Sequence, residues 1–309
     1  MLGVLSGFFI ITVLVSVGIA LGLTGVLGPS GRLVLNRITY YVGTPALVFA
    51  ALLDSELSLV LSSSFAIAAI SAVGAALIAG AAAHLLIRNR RPEQTIVTAV
   101  SASMVNSANM GFPIAAYVLG DIAYALPVVL WQMGIFTPLS QFALHSVTSG
   151  RRPSVRATVA AISANPTIGA AALGLALLAA GIHLPDLVME PIEILGGLSI
   201  PGLLLAFGMS LVASKPLAKD DGYRADIALA STVKLLIMPL IAFAVAFFLF
   251  GLRADALFTA IVLAALPTAQ NVYVTAAHYE TSEEVARDTA LVTSIGTLGV
   301  LLAAAAFFT

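Results

Sequence analysis

Thr95 to Asp121, TIVTAVSASMVNSANMGFPIAAYVLGD, is apolar and long enough to cross a bilayer, but its centre is wrong for a passive anchor. That centre reads Asn106-Ser107-Ala108-Asn109-Met110-Gly111-Phe112-Pro113. Pro113 has no N–H to donate and its ring clashes with the carbonyl four residues back, so a break or kink is expected there. Lipid cannot satisfy the carbonyls so freed, and such a break survives only inside protein or against a wet cavity. A second stretch, Ala256 to Tyr279, repeats the design with Pro267-Thr268-Ala269-Gln270-Asn271. Two broken polar helices in corresponding halves of a membrane chain point to a transporter's binding site.

Composition supports that setting. Hydrophobic residues make up 60% of the 309 and charged residues only 9%, where a soluble domain would carry about a quarter. The chain therefore reads as an all-α integral membrane protein whose surroundings are the lipid bilayer. A net charge of −1 gives no electrostatic case for nucleic acid. There is no cysteine, and so no thiolate chemistry or disulfide framework. The apolar N-terminus lacks the basic start of a signal peptide and reads as a first span.

At roughly 20 residues per crossing, ten spans are expected, near 3–25, 33–53, 59–87, 95–119, 122–147, 158–181, 189–213, 226–250, 256–279 and 285–308. Twelve of the fourteen basic residues fall in or beside the loops that follow the odd-numbered spans. Positive-inside bias then puts those loops in the cytoplasm and both termini outside, in the inner or plasma membrane. Five spans followed by five gives two repeats in opposite orientation: 1–147, a cytoplasmic linker at 148–157, and 158–309. Sliding the first half by 161 sets Ala108, Ala115 and Ala116 on Ala269, Ala276 and Ala277, and Asn109 on Gln270. Sliding by 156 sets Pro45 on Pro201. These matches favour an inverted repeat.

The breaks predict where chemistry sits. Second half-helices starting near Gly111–Pro113 and Val272–Val274 would each present unpaired N–H groups and about half a positive charge. Two such ends make an anion site without a full charge. Asn106, Asn109, Gln270 and Asn271 add amides, and Ser107 and Thr268 add hydroxyls; the plainer reading is that these groups only satisfy their neighbours' backbone. Lys234 lies about eight residues, roughly 12 Å, inside the eighth span. It either serves the site or snorkels its ammonium back to the interface. No Asp or Glu falls at the middle of a span, which disfavours sodium/proton antiport on a buried carboxylate. A Na⁺ held by carbonyls, hydroxyls and the amides of Asn109 and Gln270 stays open.

Enzyme readings are weak. Glu283-Glu284-Val285-Ala286-Arg287 is a charged first helical turn without the histidines of a protease site. His84, His145, His183 and His278 stand singly, with no metal-ligand spacing. The glycines of the sixth and seventh spans suit close helix packing.

These motifs resemble those of the auxin efflux carrier family. NSANMGFPIAAYVLGD is similar to its fourth-span motif, ALPTAQNVYVTAAHY to the ninth-span motif of its prokaryotic members, KLLIMPLIAF to its eighth span and TPALVFAALL to its second. The resemblance implies the ten-helix fold shared with bile-acid/sodium symporters. Spans 1, 2, 6 and 7, with scaffold-facing Pro45 and Pro201, would form the scaffold and a homodimer interface. Spans 3–5 and 8–10 would form a transport domain that moves as an elevator. Asn106, Pro113 and Asn271 match the family's motif positions. A proline that eukaryotic members carry near Val272 is absent, as is the long cytoplasmic loop of plant members, so small organic acids are the expected substrates rather than auxin. The reading is a secondary active carrier with no cofactor beyond a coupling ion, H⁺ or Na⁺. Its binding residues are Asn106, Ser107, Asn109, Thr268, Gln270, Asn271 and Lys234, and its breaks are shaped by Gly111, Pro113 and Pro267. A sodium-coupled symporter of the bile-acid type is the alternative, and a passive channel ranks below both.

Overall fold

The computed structural model describes residues 2–55, 62–87, 91–148, 154–213 and 222–308. Arg88, Arg90, Arg151, Arg152, Lys215 and Lys219, on which much of the charge bias rests, lie outside them, as does half of the expected linker, 149–153. The elements are helical throughout. In chain order they are α1 (Leu2–Thr24), α2 (Gly31–Ile38), α3 (Thr44–Leu53), α4 (Ser63–Leu86), α5 (Pro92–Ser101), α6 (Phe112–Ile114), α7 (Leu126–Trp131) and α8 (Thr137–Thr148). The second half adds α9 (Val155–Ser163), α10 (Pro166–Ala179), α11 (Asp186–Gly197), α12 (Ser199–Ala213), α13 (Arg224–Thr232), α14 (Met238–Ala244), α15 (Ala254–Ala264), α16 (Gln270–His278) and α17 (Glu283–Phe308).

Six helical stretches are long and apolar enough to cross a membrane: Ser6–Thr24, Ser63–Leu86, Ile122–Thr148, Asp186–Val212, Arg224–Leu249 and Glu283–Phe308. The other four expected spans are interrupted or too polar, each for a local reason. The segment at 33–53 opens with the polar turn GRLVLNRI. The one at 158–181 is cut where Asn165 caps α10, its Oδ1 accepting from the N–H groups of Thr167 and Ile168. The remaining two are broken at their centres. The molecule is thus an all-α multi-pass membrane protein, with six helical stretches among the described residues that are long and apolar enough to cross a membrane unbroken.

Prolines shape the long helices in a repeated way. Wide π turns at Thr39–Gly43, Ser107–Gly111, Gln132–Phe136 and Val233–Ile237 each end two residues before a proline: Pro45, Pro113, Pro138 and Pro239. A π turn shifts the carbonyl that the proline ring would strike and reroutes the lost hydrogen bond to the fifth residue along. Proline therefore bulges these helices without ending them.

The chain divides into two compact units, one of Met1–Ser62, Ala108–Leu130 and Val159–Lys215, the other of Ser63–Ser107, Trp131–Thr158 and Pro216–Thr309. In the first, α1 lies against α12 at backbone contact. A Cβ on Gly208 would sit 2.2 Å from the Val15 carbonyl oxygen, and one on Gly18 would sit 2.4 Å from that of Leu205. Only glycine permits so close an approach. Gly208→Val is expected to lower the apparent melting temperature by several degrees, since overpacking costs about 1–3 kcal/mol. Gly169→Ala, where an added Cβ meets nothing within 4 Å, should leave it unchanged; equal melting curves for both variants would contradict this packing. The same unit joins the two proline segments paired in the sequence, for Thr44, beside Pro45, shares a buried 3.1 Å hydrogen bond with Ser199, two residues before Pro201.

In the second unit, α4 packs on α5 and α14, and α17 runs against α13, α15 and α16. Both breaks, at Ala102–Asn106 and Ala265–Ala269, fall inside this unit.

Candidate functional site

The second break is local in origin. Pro267 cannot donate, and it disfavours helical geometry at Leu266, so α15 stops at Ala264. The chain then runs extended through Thr268 and Ala269 before α16 begins at Gln270. The first break sits at Ala102–Asn106, between α5 and the π turn at Ser107, and no proline lies within it. Gly111 and Pro113 lie in the resumed helix, so the expected start at Gly111–Pro113 is corrected upstream by about one turn. The ninth-span restart is likewise at Gln270 and not at Val272–Val274.

What opens the first break is pairing with the second. Val105 and Thr268 form an isolated antiparallel bridge. The Asn106 N–H donates to the Pro267 carbonyl at 2.8 Å, and the Ala269 N–H donates to the Met104 carbonyl at 3.0 Å. Side chains complete the satisfaction on both flanks. The Gln132 amide clamps Val105, accepting its N–H at 2.9 Å and donating to its carbonyl at 2.6 Å, and also reaches the Ser107 hydroxyl at 3.2 Å. Thr293 Oγ1 accepts the Thr268 N–H at 3.0 Å, while Thr268 Oγ1 donates to the Ser101 carbonyl at 2.6 Å. Buried backbone groups require such partners, and here the unwound strands find them in each other and in two helices.

One amide is left over. Asn106 is 4% exposed, yet its Nδ2 has no hydrogen-bond partner among the described residues, nor does Ser101 Oγ. The first turn of α16 has no side-chain cap, with Gln270 half-buried and Asn271 exposed. Unpaired N–H donors at a buried break can receive an anion. Asn109 occupies the π turn after the first break and is half-buried, in the first unit.

Lys234 does not snorkel. It is fully buried, and its Nζ donates to the Ala264 carbonyl at 2.9 Å and to Met238 Sδ at 3.0 Å. It caps the C-terminal end of α15, with Thr297 Oγ1 donating to the neighbouring Ala265 carbonyl at 3.0 Å. A small cavity of about 10 Å³ lies beside the pairing, between Val97, Val100, Met104, Leu144, Val272 and Ala276. That is about the room of one water.

Several residues that hold this arrangement were not singled out from sequence. Gln132 is the lone amide in LPVVLWQMGIF, a signal equal to that of Asn106. Thr293 and Thr297 are lone hydroxyls on α17, with no local cue to their targets. Two carboxylates are also buried near helix starts: Asp226 accepts from Thr98 Oγ1 at 3.1 Å, and Asp288 pairs with Arg287 at 2.7 Å. In the first unit, Asp54, Asp186, Glu193 and His183 line a cavity of about 190 Å³.

The model of a family described as "Membrane transport protein" matches residues 4–146 and 151–304. The chain belongs to that family, the auxin efflux carriers. An uncharacterized transporter of Methanothermobacter thermautotrophicus is 27% identical over 251 residues, which is 77% of each chain. As a member of the auxin efflux carrier family, the protein is a membrane transporter and not an enzyme. The matched range takes in both broken segments, Gln132 and Lys234.

Proposed function

We propose that the protein is a secondary active carrier of efflux type for a small organic anion, and that the paired breaks are its binding site. The observation that carries this reading is the buried Nδ2 of Asn106, without a hydrogen-bond partner among the described residues, in the strand whose backbone N–H holds the Pro267 carbonyl just before α16. Amide N–H groups and a helix N-terminus suit a carboxylate. In this reading Asn106, Ser107, Thr268, Gln270 and Asn271, all of the second unit, bind or order the anion, and Lys234 acts through the backbone it caps. Asn106, Ser107 and Thr268 are buried, so in this reading the substrate reaches them when elements move. That supports alternating access, of the elevator kind implied by the family resemblance. Two inverted five-span repeats, a scaffold with Pro45 and Pro201 that forms a homodimer, and termini outside the inner or plasma membrane complete the proposal. The coupling ion is H⁺ or Na⁺.

A ligand that binds only the folded protein raises its apparent stability by mass action. Acetate, succinate, malate and benzoate, each against its uncharged amide, are the panel for a thermal-shift experiment on the purified chain. We expect at least one acid to stabilise saturably and its amide not to. Equal shifts from acid and amide, or none from any acid, would count against the anion site.

A further inference from the structure

We propose that Lys234 is a tethered cation, a positioning residue that occupies the place where a coupling cation would bind and so makes the carrier's fold and anion site independent of sodium. The proposal rests on the carrier reading for its meaning, but its structural half stands alone.

The Lys234 ammonium is buried at the end of α15 on one oxygen, the Ala264 carbonyl, and one sulfur, that of Met238. The end of α15 carries a partial negative charge from its unpaired carbonyls. Ala264 is 6% exposed and Ala265 and Leu266 are 0% exposed, so water does not satisfy that end. The Ala264 and Ala265 carbonyls together with the Thr297 hydroxyl are the hard oxygen donors that small cations take from proteins. In this structure Lys234 Nζ sits 2.9 Å from the first of them and Thr297 Oγ1 3.0 Å from the second. A lysine head group is a compact point charge on a flexible stem, which suits it to replace a free ion.

The companion break makes the contrast. There the carbonyls of Ser101, Met104 and Val105 receive only neutral donors, from Thr268 Oγ1, the Ala269 N–H and Gln132 Nε2. The second break receives the same kinds of neutral donor at the Ala265 and Pro267 carbonyls and, in addition, an amine at the Ala264 carbonyl. Lys234 also sits in the π turn Val233–Ile237, two residues after which comes Pro239. Met238, the residue between, supplies its second contact at 3.0 Å. The bulge, the proline and the lysine thus form one device aimed at the end of α15.

The test compares the purified full-length protein with its Lys234→Ala and Lys234→Gln variants by thermal shift, without substrate, in sodium chloride and in choline chloride at equal ionic strength. Wild type should melt at the same temperature in both salts. A truncated variant should melt lower and regain about 2–4 °C, saturably, with sodium or methylammonium but not choline. A merely structural lysine would give the loss without the ion-selective recovery. Saturable sodium stabilisation of the wild type would overturn the proposal, and so would variants blind to small cations. If neither variant folds, the wild type still decides: any carboxylate affinity measured for it must survive the exchange of sodium for choline, and a sodium requirement overturns the proposal. Because the cation readout uses no carboxylate, silence of the acid panel would sink the carrier reading without touching this one.

Discussion

Asn106→Ala should weaken binding of the stabilising acid by about 10- to 100-fold and leave the folded protein intact. A hydrogen bond to a charged group is worth about 1.5–3 kcal/mol, which sets the range. The fold is spared for a specific reason. What Asn106 gives the structure comes from its backbone, whose N–H stays on the Pro267 carbonyl, while its Nδ2 has no hydrogen-bond partner among the described residues. Titrating the acid against wild type and variant by thermal shift separates the two effects, since the melting temperature without acid reports the fold and its concentration dependence reports affinity. Asn271→Ala, at the exposed start of α16, should act in the same direction. Unchanged affinity in both variants would remove these amides from the site.

Gln132→Leu should do the opposite, damaging the fold first. The side chain satisfies both the N–H and the carbonyl of Val105, at 2.9 and 2.6 Å, where Val105 is 2% exposed. Leucine keeps the volume and removes both partners. Each orphaned group costs about 1–3 kcal/mol, so a loss of about 2–5 kcal/mol is expected, a large share of a typical protein's stability. Melting curves at one fixed scan rate check it, since membrane proteins that unfold irreversibly report a rate as much as an equilibrium. A shift no larger than that of Gly169→Ala would show that the clamp is dispensable.

How much of this was legible in the sequence differs from residue to residue. The two breaks were visible because Asn106, Ser107, Pro267, Thr268 and Gln270 interrupt runs that lipid would otherwise keep apolar. Their placement was legible only in part. Pro267 fixes its own break through local sterics, and the structure leaves it where the sequence puts it. Pro113 looked equivalent, but a π turn absorbs it, and the first break lies at Ala102–Asn106 because the ninth segment pairs there. That cause is 160 residues distant in sequence and invisible to any local rule. Lys234 posed two readings from its depth alone, and the structure rejects the snorkelling one by giving its Nζ the carbonyl of Ala264, thirty positions on. Gln132 could have been found by the reasoning that found Asn106. Thr293 and Thr297 could not, since a hydroxyl inside a helix usually bonds its own backbone.

Apolar stretches and unbroken helices differ for a related reason. Hydropathy adds up apolar residues without asking whether the helix runs through them. Asn165 followed by Pro166 caps a new helix in mid-segment, and the helix that begins at Gly31 opens with the polar GRLVLNRI, so among the described residues six helical stretches are both long and apolar enough to cross a membrane. The family match nonetheless covers these interrupted stretches as fully as the continuous ones.

The most direct test of the central claim is counterflow. The purified protein would be placed in liposomes preloaded with the acid that stabilises it, and uptake of the same labelled acid would be followed with no ion gradient imposed. A carrier whose paired breaks bind the anion should give transient, saturable accumulation of label, lost in Asn106→Ala. Flux that rises linearly with concentration, or accumulation unaffected by that substitution, would contradict the account.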